Sequence, residues 1–401
     1  MVFRPPVPPW PMARLRVWAV LLGLGGPALA AEPAFRPPAF TPDGFAVPQP
    51  GRTFQFPRDH GSHPEFKVEW WYVTGHLESG KQRFGFQATF FRSAAPRPSA
   101  PGATPAAAPA PFGTGHLHLA HLALLDASSG RFLHQSRLNR DGWDAGSATN
   151  QLAVHNGNWF LRQESTPAPS DPGRPSLQLA GAIRGEAAFR LRLVPRKPLV
   201  AFGEQGVSRK AAGPTAASHY LTFTRLAAEG SLELDGRTLA VAGEAWMDHE
   251  ISSSQLDPDQ AGWDWACLQL DDGREVMAYR LRKVDGSTDP FSTLAWIDTQ
   301  GGVQHAGPDR FRWEPAGHWT SPLTRARYPN RVRITTRDPE SGRDRTFLLE
   351  PLAEAQELTD PLGGVAYWEG ACRVREADGR VVGRAFLELA GYVGRLADRF
   401  R

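Results

Sequence analysis

Cysteine is scarce in this chain, and long apolar runs are missing from most of it. Cys267 and Cys372 are the only two cysteines among 401 residues, too few for a disulfide scaffold, so a hydrophobic core must hold the fold together. The two thiols fit one long-range disulfide and two buried free thiols equally well. Beyond the N-terminus no run approaches the roughly 18 apolar residues of a membrane-spanning helix, so we expect no transmembrane segment in the mature chain.

The short motifs of several enzyme classes are absent as well. There is no Gly-x-Ser-x-Gly, no His-Glu-x-x-His, no glycine-rich loop opening a helix, and no histidine beside either cysteine. His116, His118 and His121 have a spacing that a bulged strand could turn toward a metal, but nothing nearby completes the ligand set. We therefore expect neither a cofactor nor a metal.

The N-terminus has the features of an export signal. Arg14 and Arg16 precede a short apolar run, and small residues at positions 28–30 form a cleavage site. We predict cleavage after Ala30 and a periplasmic or secreted protein. Met12 is an alternative start, because the residues after it form a more ordinary signal sequence than the proline-rich segment before it.

Neither sign of charge is in excess once that segment is removed. The predicted signal holds three arginines and no acidic residue, so its loss lowers the formal net charge from +3 to 0. No basic tract interleaved with aromatic residues occurs either. We therefore expect no nucleic-acid partner.

What the sequence does contain is many short strand-like segments. Runs rich in Val, Phe, Trp, Thr and Leu are separated by turns, in a chain with 40 Gly and 36 Pro. Helical periodicity is scarce, and no short repeat stands out. This pattern predicts an all-β protein built from antiparallel sandwiches or barrels.

Two groups of strands of similar size predict two β domains. Residues 1–30 are the predicted signal peptide, and residues 31–50 are a proline-rich lead-in. We place the N-terminal domain at residues 51–235 and the C-terminal domain at residues 236–401. Residues 93–112 are a low-complexity Pro/Ala stretch that cannot form a packed core, so we predict a disordered insertion there.

Carboxylates recur beside tryptophans. The four segments with this pattern are 69–72 (EWWY), 246–250 (WMDHE), 263–265 (WDW) and 367–369 (YWE). A tryptophan-lined apolar chamber would raise the pKa of such an acid and keep it protonated. Plain strand alternation, with tryptophan in the core and the acid in solvent, is the competing explanation.

Because side chains alternate between the two faces of a strand, the four segments differ in whether the acid shares a face with a tryptophan. Trp246, Asp248 and Glu250 share one face of a strand, and His249 points to the other. Asp264 lies opposite its two tryptophan neighbours, so strand alternation explains it better. Asp248 is therefore the acid most worth testing, and it begins the densest titratable group of the chain.

Several of these segments resemble the AttH-like/carotenoid 1,2-hydratase family. The resemblance extends over nearly all of the mature chain, from about residue 50 to residue 393. It is carried by residues 69–77 (EWWYVTGHL), 84–87 (FGFQ), 243–250 (GEAWMDHE), 262–265 (GWDW), 272–277 (DGREVM), 367–370 (YWEG) and 387–392 (LELAGY). It implies two lipocalin-like antiparallel β-barrel or sandwich domains in tandem, an exported protein, and a genomic setting beside an ABC-transporter permease.

The resemblance also implies a chemistry. Hydratases of the family add water across a terminal carbon–carbon double bond of an acyclic carotenoid without a cofactor. Protonating carbon requires a carboxylic acid that stays neutral in an apolar site. Indole faces would stabilise the resulting carbocation by about 2 kcal/mol when desolvated, and a lipocalin-like barrel offers the apolar channel.

On this basis the predicted catalytic residues are Asp248, His249 and Glu250. Asp248 is the proton donor, and His249 or Glu250 orients it or activates water. The predicted ligand-binding residues are Glu69, Trp70, Trp71, Tyr72, Trp246, Trp263, Trp265, Tyr279, Trp368 and Glu369. The family's hydratases carry a further acid on the next strand, whereas residues 276–281 here contain none, so Tyr279 is expected only to contact ligand.

Three functions are compatible with these features. The first is a hydratase that acts on a carotenoid, an isoprenoid or a related lipid. The second is a non-catalytic periplasmic carrier that holds such an apolar ligand for an ABC-type export system. The third is a secreted hydrolase in which residues 248–250 activate water, for which the sequence offers no nucleophile.

Overall fold

The computed structural model describes residues 1, 35–95, 97, 115–164, 171–359 and 366–396. The predicted signal peptide and most of the predicted Pro/Ala insertion lie outside the described residues. From Phe35 onward the chain belongs to one unit by its contacts. No helix in these described ranges has the length and apolar character needed to cross a bilayer.

The described residues form strands joined by turns, with a short 3-10 helix at Arg58–His60. Aromatic and β-branched residues recur in the strands because their side chains pack well on a pleated surface. In chain order the strands are β1 (Val68–Ser79), β2 (Gln82–Ser93), β3 (Leu117–Asp126), β4 (Arg131–Arg140), β5 (Ala145–Ser147), β6 (Ala153–Asn156), β7 (Trp159–Gln163), β8 (Leu177–Ile183), β9 (Ala187–Pro195), β10 (Val200–Phe202), β11 (Ser208–Arg209), β12 (Ala217–Leu234), β13 (Arg237–Ser254), β14 (Gln260–Leu270), β15 (Glu275–Lys283), β16 (Thr293–Ile297), β17 (Val303–Ala306), β18 (Phe311–Thr320), β19 (Arg327–Arg337), β20 (Asp344–Pro351), β21 (Glu357–Thr359), β22 (Ala366–Arg375) and β23 (Val381–Ala390).

The first sheet is antiparallel and curled. Its strand order is β4-β3-β2-β1-β13-β12-β9-β8-β7-β6-β5, and β10 and β11 also pair with β12. The strands at the two ends of this order, β4 and β5, come back into contact, so the sheet curls toward a barrel. β1 lies in the middle, hydrogen-bonded to β2 on one side and to β13 on the other.

The long strands β12 and β13 form a hairpin inside this first sheet. Asp235 and Gly236 connect them with positive φ angles of 51° and 75°, as a tight hairpin turn requires. The domain boundary predicted at residues 235/236 therefore falls on a turn within one sheet, and the chain passes to the second sheet between Ser254 and Gln260. A glycine-containing turn between two strands has the same local pattern as a short linker, so the sequence did not distinguish them.

The second sheet is also antiparallel, in the order β17-β16-β15-β14-β23-β22-β20-β19-β18, with β21 paired to β22. Each sheet encloses its own apolar core. A third buried cluster lies between the sheets and includes Tyr72 and Trp246 from the first and Trp265 and Phe386 from the second. These features confirm the predicted all-β architecture of two lipocalin-like antiparallel units in tandem.

Both cysteines are buried free thiols. Cys267 belongs to the cluster between the sheets, whereas Cys372 packs in the core of the second sheet. Of the two arrangements that the sequence left open, the structure has the reduced one.

Candidate functional site

Rows of paired side chains from the two sheets face each other. In the first sheet the rows, read across β1, β13 and β12, are Tyr72–Asp248–Thr222 and Trp70–Glu250–Tyr220. In the second sheet the row, read across β15, β14, β23 and β22, is Tyr279–Trp265–Glu388–Glu369. Side chains that are paired across antiparallel strands share one face of the sheet. The register therefore gathers residues that are far apart in sequence into one two-sided site.

These rows enclose a cavity of about 70 Å³. Its aromatic lining residues are Trp70, Tyr72, Phe91, Tyr220, Trp263, Trp265, Tyr279 and Tyr367. Its acidic lining residues are Asp248, Glu250, Glu369 and Glu388. A charged carboxylate loses its hydration in such surroundings, so the acids are driven toward their neutral form unless a cation accompanies them.

Asp248 is held by three hydrogen bonds. Its Oδ1 accepts from Thr222 Oγ1 and Trp246 Nε1, each at 2.7 Å, and its Oδ2 accepts from the Tyr220 hydroxyl at 2.7 Å. Asp248 is only 3% exposed. Burial raises the pKa of Asp248 to about 7, although the hydrogen bonds from Tyr220 and Thr222 lower it. Near neutral pH this carboxyl group is therefore able to both give and take a proton.

Tyr220 connects Asp248 to the aromatic wall. Trp265 Nε1 donates to the Tyr220 oxygen at 2.9 Å, and the Tyr220 hydroxyl donates onward to Asp248. The Trp265 ring meets Tyr72 and Trp246 edge to face, with centroid distances of 5.4 and 6.1 Å. This chain of donors fixes the orientation of the Asp248 carboxyl group, because each member is itself held by a neighbour.

Glu369 and Glu388 are direct neighbours across β22 and β23. Glu369 is buried, and the Tyr72 hydroxyl donates a hydrogen bond to its Oε1. Burial and repulsion from Glu388 raise the pKa of Glu369 well above its usual range. Glu388 keeps some exposure where it lines the cavity, and desolvation raises its pKa to about 7, helped by repulsion from Asp248 and Glu250. The cavity thus holds several carboxyl groups that carry protons near neutral pH.

Glu250 differs from these acids because it has a cation beside it. Lys210 Nζ lies 2.9 Å from Glu250 Oε2, and the Ser218 hydroxyl donates to the same oxygen. Lys210 is fully buried, with its Nζ 4.8 and 4.3 Å from the ring centroids of Tyr220 and Tyr279. Cation–π contacts of this kind favour a buried ammonium group. Glu250 is therefore committed to an ion pair, unlike the other acids of the cavity in the described part of the chain.

The opposite face of β1 and β13 carries a second buried polar cluster. Glu69 Oε1 is 2.8 Å from His63 Nδ1 and 2.8 Å from His249 Nε2, and its Oε2 accepts from Arg92 Nε at 3.2 Å. The other ring nitrogen of His63 is 2.9 Å from Asp59. Burial raises the pKa of Glu69, but the charge of His63 and the hydrogen bond from His249 outweigh burial. The pKa of Glu69 is therefore held well below its usual range.

This cluster has the spacing of a three-ligand metal site. The donor atoms of His63, Glu69 and His249 all lie within 4.8 Å of one another. Both ring nitrogens of His63 already face carboxylates, however, and Arg92 adds a positive charge beside Glu69. A metal would have to displace these bonds, so the cluster is better explained as a hydrogen-bonded ion network that ties β1, β2 and β13 together.

A larger apolar groove adjoins the cavity and has a volume of about 310 Å³. Its apolar lining includes Val68, Leu117, Leu119, Leu138 and Leu396. The residues that line both spaces are Phe91, Gln255, Trp263, Tyr367 and Glu388. Ligand pockets commonly measure roughly 300–1,000 Å³, so the groove has room for the body of a ligand and the cavity only for one end of it.

The structure brings most of the predicted site residues together. Those that line the cavity are Trp70, Tyr72, Asp248, Glu250, Trp263, Trp265, Tyr279 and Glu369. Trp246 lies behind Asp248 and donates a hydrogen bond to it instead of lining the cavity. Trp368 is fully buried in the core of the second sheet, where its Nε1 donates to the Glu354 carbonyl at 2.8 Å.

The remaining three residues lie on the opposite face of the first sheet, in the ion network. His249 stacks on Trp71 at a centroid distance of 4.8 Å and contacts Glu69. The prediction that His249 acts beside Asp248 and Glu250 therefore does not fit the structure, because successive residues of a strand point to opposite faces. The same alternation removes Glu69 and Trp71 from the cavity.

Sequence reasoning missed Glu388, Tyr220 and Gln255. Glu388 lies between two leucines in the segment 387–392, where an acid among core residues was the available signal. Trp265 of β14 has Tyr279 of β15 on one side and Glu388 of β23 on the other, so Glu388 supplies a carboxyl group to the same row, two strands away from the strand in which the sequence lacks one. Tyr220 and Gln255 have no comparable signal, since only their tertiary position distinguishes them.

Comparison with known proteins agrees with this fold. A family model described as AttH-like matches residues 47–392. The crystal structure of a candidate AttH from Nitrosomonas europaea is 34% identical, with a TM-score of 0.74, and the match covers 87% of this chain and 100% of that one. Kievitone hydratase from Nectria haematococca is 14% identical, with a TM-score of 0.62 over 88% of this chain and 98% of its own.

A third solved structure, that of CghA, is 14% identical with a TM-score of 0.52, and the match covers 89% of this chain and 98% of that one. At this level of identity the last two matches establish a shared fold alone. No curated protein matches the chain.

Proposed function

Because this chain belongs to the AttH-like family, we propose that it binds an unsaturated apolar ligand between its two sheets and adds water across a carbon–carbon double bond. Asp248 protonates the alkene carbon in this proposal. The observation that carries it is the burial of Asp248, 3% exposed, in a cavity lined by tryptophan and tyrosine rings. Alkene protonation requires an acid that is held partly protonated beside the substrate, and Asp248 meets that requirement.

The first step transfers the Asp248 proton to one alkene carbon and leaves a carbocation on the other. The electron pair of the double bond forms the new C–H bond, and Asp248 becomes a carboxylate. Its three hydrogen-bond donors then stabilise the negative charge. The indole rings of Trp70, Trp263 and Trp265, which line the cavity, stabilise the cation without capturing it, because an aromatic ring is a weak nucleophile.

The second step captures the cation with water. Oxygen forms the new C–O bond, and the proton that water loses passes to a carboxylate of the cavity. Glu388 is suited to receive it, since its pKa of about 7 leaves part of the population ionised at neutral pH. Proton transfer back to Asp248 through water restores the starting state, and no cofactor takes part in this sequence.

The apolar groove favours lipid carriage as a second candidate function. With a volume of about 310 Å³ it is larger than the acidic cavity, and it would hold a chain or ring system without any chemistry. In this case the protein delivers a lipid, and an ABC-type export system would be its partner. Binding without conversion separates this function from hydration.

The first prediction tests hydration with Asp248→Asn. We expect the wild-type protein to convert lycopene, neurosporene or a shorter acyclic isoprenoid to a product one water heavier, measured by mass spectrometry. Asp248→Asn should lower the rate by about 10²–10⁴-fold, the usual contribution of a general acid. Tryptophan fluorescence quenching should show that the variant still binds the substrate.

The exposed acid variant Asp309→Asn is the matched control and should convert substrate at the wild-type rate. If wild type and Asp248→Asn both bind and neither yields product, the carrier function replaces hydration. Equal conversion by both proteins would exclude Asp248 as the proton donor.

A further inference from the structure

Two buried hydrogen-bond donors lie in the wall of the cavity without an acceptor among the described residues. Gln255, 4% exposed, follows β13 and lines both the cavity and the groove. Its Nε2 has no hydrogen-bond partner in the described part of the chain. Glu369, 1% exposed, lines the cavity, and its Oε2 is equally without a partner among the described residues. Buried polar atoms are seldom left in this condition.

Glu369 Oε2 behaves as a donor because of what surrounds it. The other oxygen, Oε1, accepts a hydrogen bond from Tyr72, which leaves Oε2 to carry the proton. Burial and the neighbouring Glu388 raise the pKa of Glu369 well above its usual range, which favours the protonated form. A protonated carboxyl oxygen seeks an acceptor, as the amide nitrogen of Gln255 does.

A pure hydrocarbon cannot satisfy either donor. Filling the cavity with carbon alone would leave both groups buried without a partner, and sites built with such groups discriminate against ligands that lack the matching atom. An oxygen atom at the end of the ligand would accept from both donors. The small size of the cavity, about 70 Å³, limits this oxygenated end to a few atoms, while the groove of about 310 Å³ takes the apolar body.

We propose that the ligand is an oxygenated isoprenoid or related lipid whose carbonyl or hydroxyl oxygen binds Gln255 Nε2 and Glu369 Oε2, with its apolar body in the groove. This inference rests on the proposed site between the sheets and names the class of molecule that enters it. Gln255 and Glu369 are then specificity-determining residues that select oxygenated ligands over hydrocarbons of the same skeleton.

The test compares farnesal, farnesol and farnesene, which share one carbon skeleton and differ in the terminal oxygen. We expect isothermal titration calorimetry to give about tenfold tighter binding of farnesal than of farnesene to the full-length mature protein. Gln255→Leu and Glu369→Leu should each weaken farnesal binding severalfold and strengthen farnesene binding, because the hydrocarbon no longer leaves a donor unpaired. Tighter farnesene binding also shows that the variants fold. Glu369→Gln keeps a donor at that position and should retain the preference.

Gln304→Leu, which replaces an exposed glutamine of β17, is the matched control and should keep the wild-type preference. Farnesene binding as tightly as farnesal, or a preference that survives both leucine variants, overturns the inference. Measuring the hydrated product in the same samples distinguishes a failure of this inference from a failure of the proposed function. A retained preference without any hydrated product overturns hydration alone, whereas hydration of farnesene with no preference for oxygen overturns this inference alone.

Discussion

Asp248 illustrates how burial and hydrogen bonding compete at a single side chain. Three donors point at its carboxyl group and favour the carboxylate, yet burial raises its pKa to about 7. The folded protein therefore binds a proton at Asp248 more tightly than the unfolded chain does. The contribution of Asp248 to the free energy of unfolding is fully present below about pH 4, the pKa of the group in the unfolded chain. It is lost as the pH rises through about 7, the pKa in the folded protein.

The second prediction follows from this loss of stability with rising pH. Between pH 5 and pH 8 the free energy of unfolding of the wild type should fall by about 2–3 kcal/mol relative to Asp248→Asn, which cannot titrate at this position. Urea unfolding at each pH measures the difference between the two proteins. The variant is expected to be less stable overall, because its amide cannot accept from all three donors, but only the pH slope reports the titration. Parallel profiles would contradict the pKa of Asp248, and Asp309→Asn should follow the wild type.

At the level of strands, the distance between the two sheets depends on a glycine at the point where β2 and β22 come close to each other. A Cβ atom at Gly85 of β2 would lie 2.5 Å from the Ala371 Cβ of β22. Real Cβ atoms do not approach so closely, so any larger residue must push the sheets apart. The acidic cavity lies between the same two sheets, which makes its shape depend on this contact.

The third prediction concerns that contact. Gly85→Ala should destabilise the protein by about 1–3 kcal/mol through overpacking, measured by urea unfolding. Ala371→Gly in the Gly85→Ala background restores the space and should recover part of the loss, a coupling that a double-mutant cycle detects. Gly394→Ala is the matched control, because a Cβ there meets no atom within 4 Å. Additive effects of the Gly85 and Ala371 changes would show that the two residues do not touch.

Across the whole molecule, a buried ion cluster joins the two halves of the chain. Glu275 begins β15 of the second sheet, and its carboxylate meets Lys197 Nζ at 2.6 Å and Arg225 Nε at 2.7 Å, both from the first half. Lys197 Nζ also donates to the carbonyls of Gly273 and Asp298 at 2.6 and 2.7 Å. Arg225 has a second partner, Glu244, at 2.9 Å, so Glu275 is above all the counter-charge of Lys197.

The fourth prediction is that Glu275→Gln destabilises the protein by roughly 3–5 kcal/mol, because it leaves the Lys197 ammonium group buried without a counter-charge and removes one of the two acidic partners of Arg225. Thermal or urea unfolding measures the loss. Glu340→Gln removes an acid that is paired with Arg274 at 3.0 Å but is itself 65% exposed, and this control should cost less than about 1 kcal/mol. A small effect of Glu275→Gln would mean that water reaches the cluster.

The period of the strands explains which site residues could be identified in advance. Alternation alone placed Asp248 with Glu250 and separated Asp264 from the cavity. It was wrong in placing Asp264 in solvent, because this acid is buried and bound by Arg280 and Arg282 at 3.0 and 2.8 Å. It equally placed His249 on the other face, where His249 contacts Trp71 and Glu69 instead of the two acids. Neighbouring residues in sequence are the poorest partners in a strand, because they point apart.

The sequence by itself determined that this is an all-β protein of two tandem units, its family, and the candidate status of Asp248. Those features depend on local composition, on alternation within single strands and on short motifs. Only the tertiary structure decided that Glu388 and Glu369 join Asp248, that Glu69 and His249 form a separate network, and that the sheet boundary follows Ser254. Strand register and the packing of one sheet on the other set those contacts, and both depend on pairs of residues up to hundreds of positions apart.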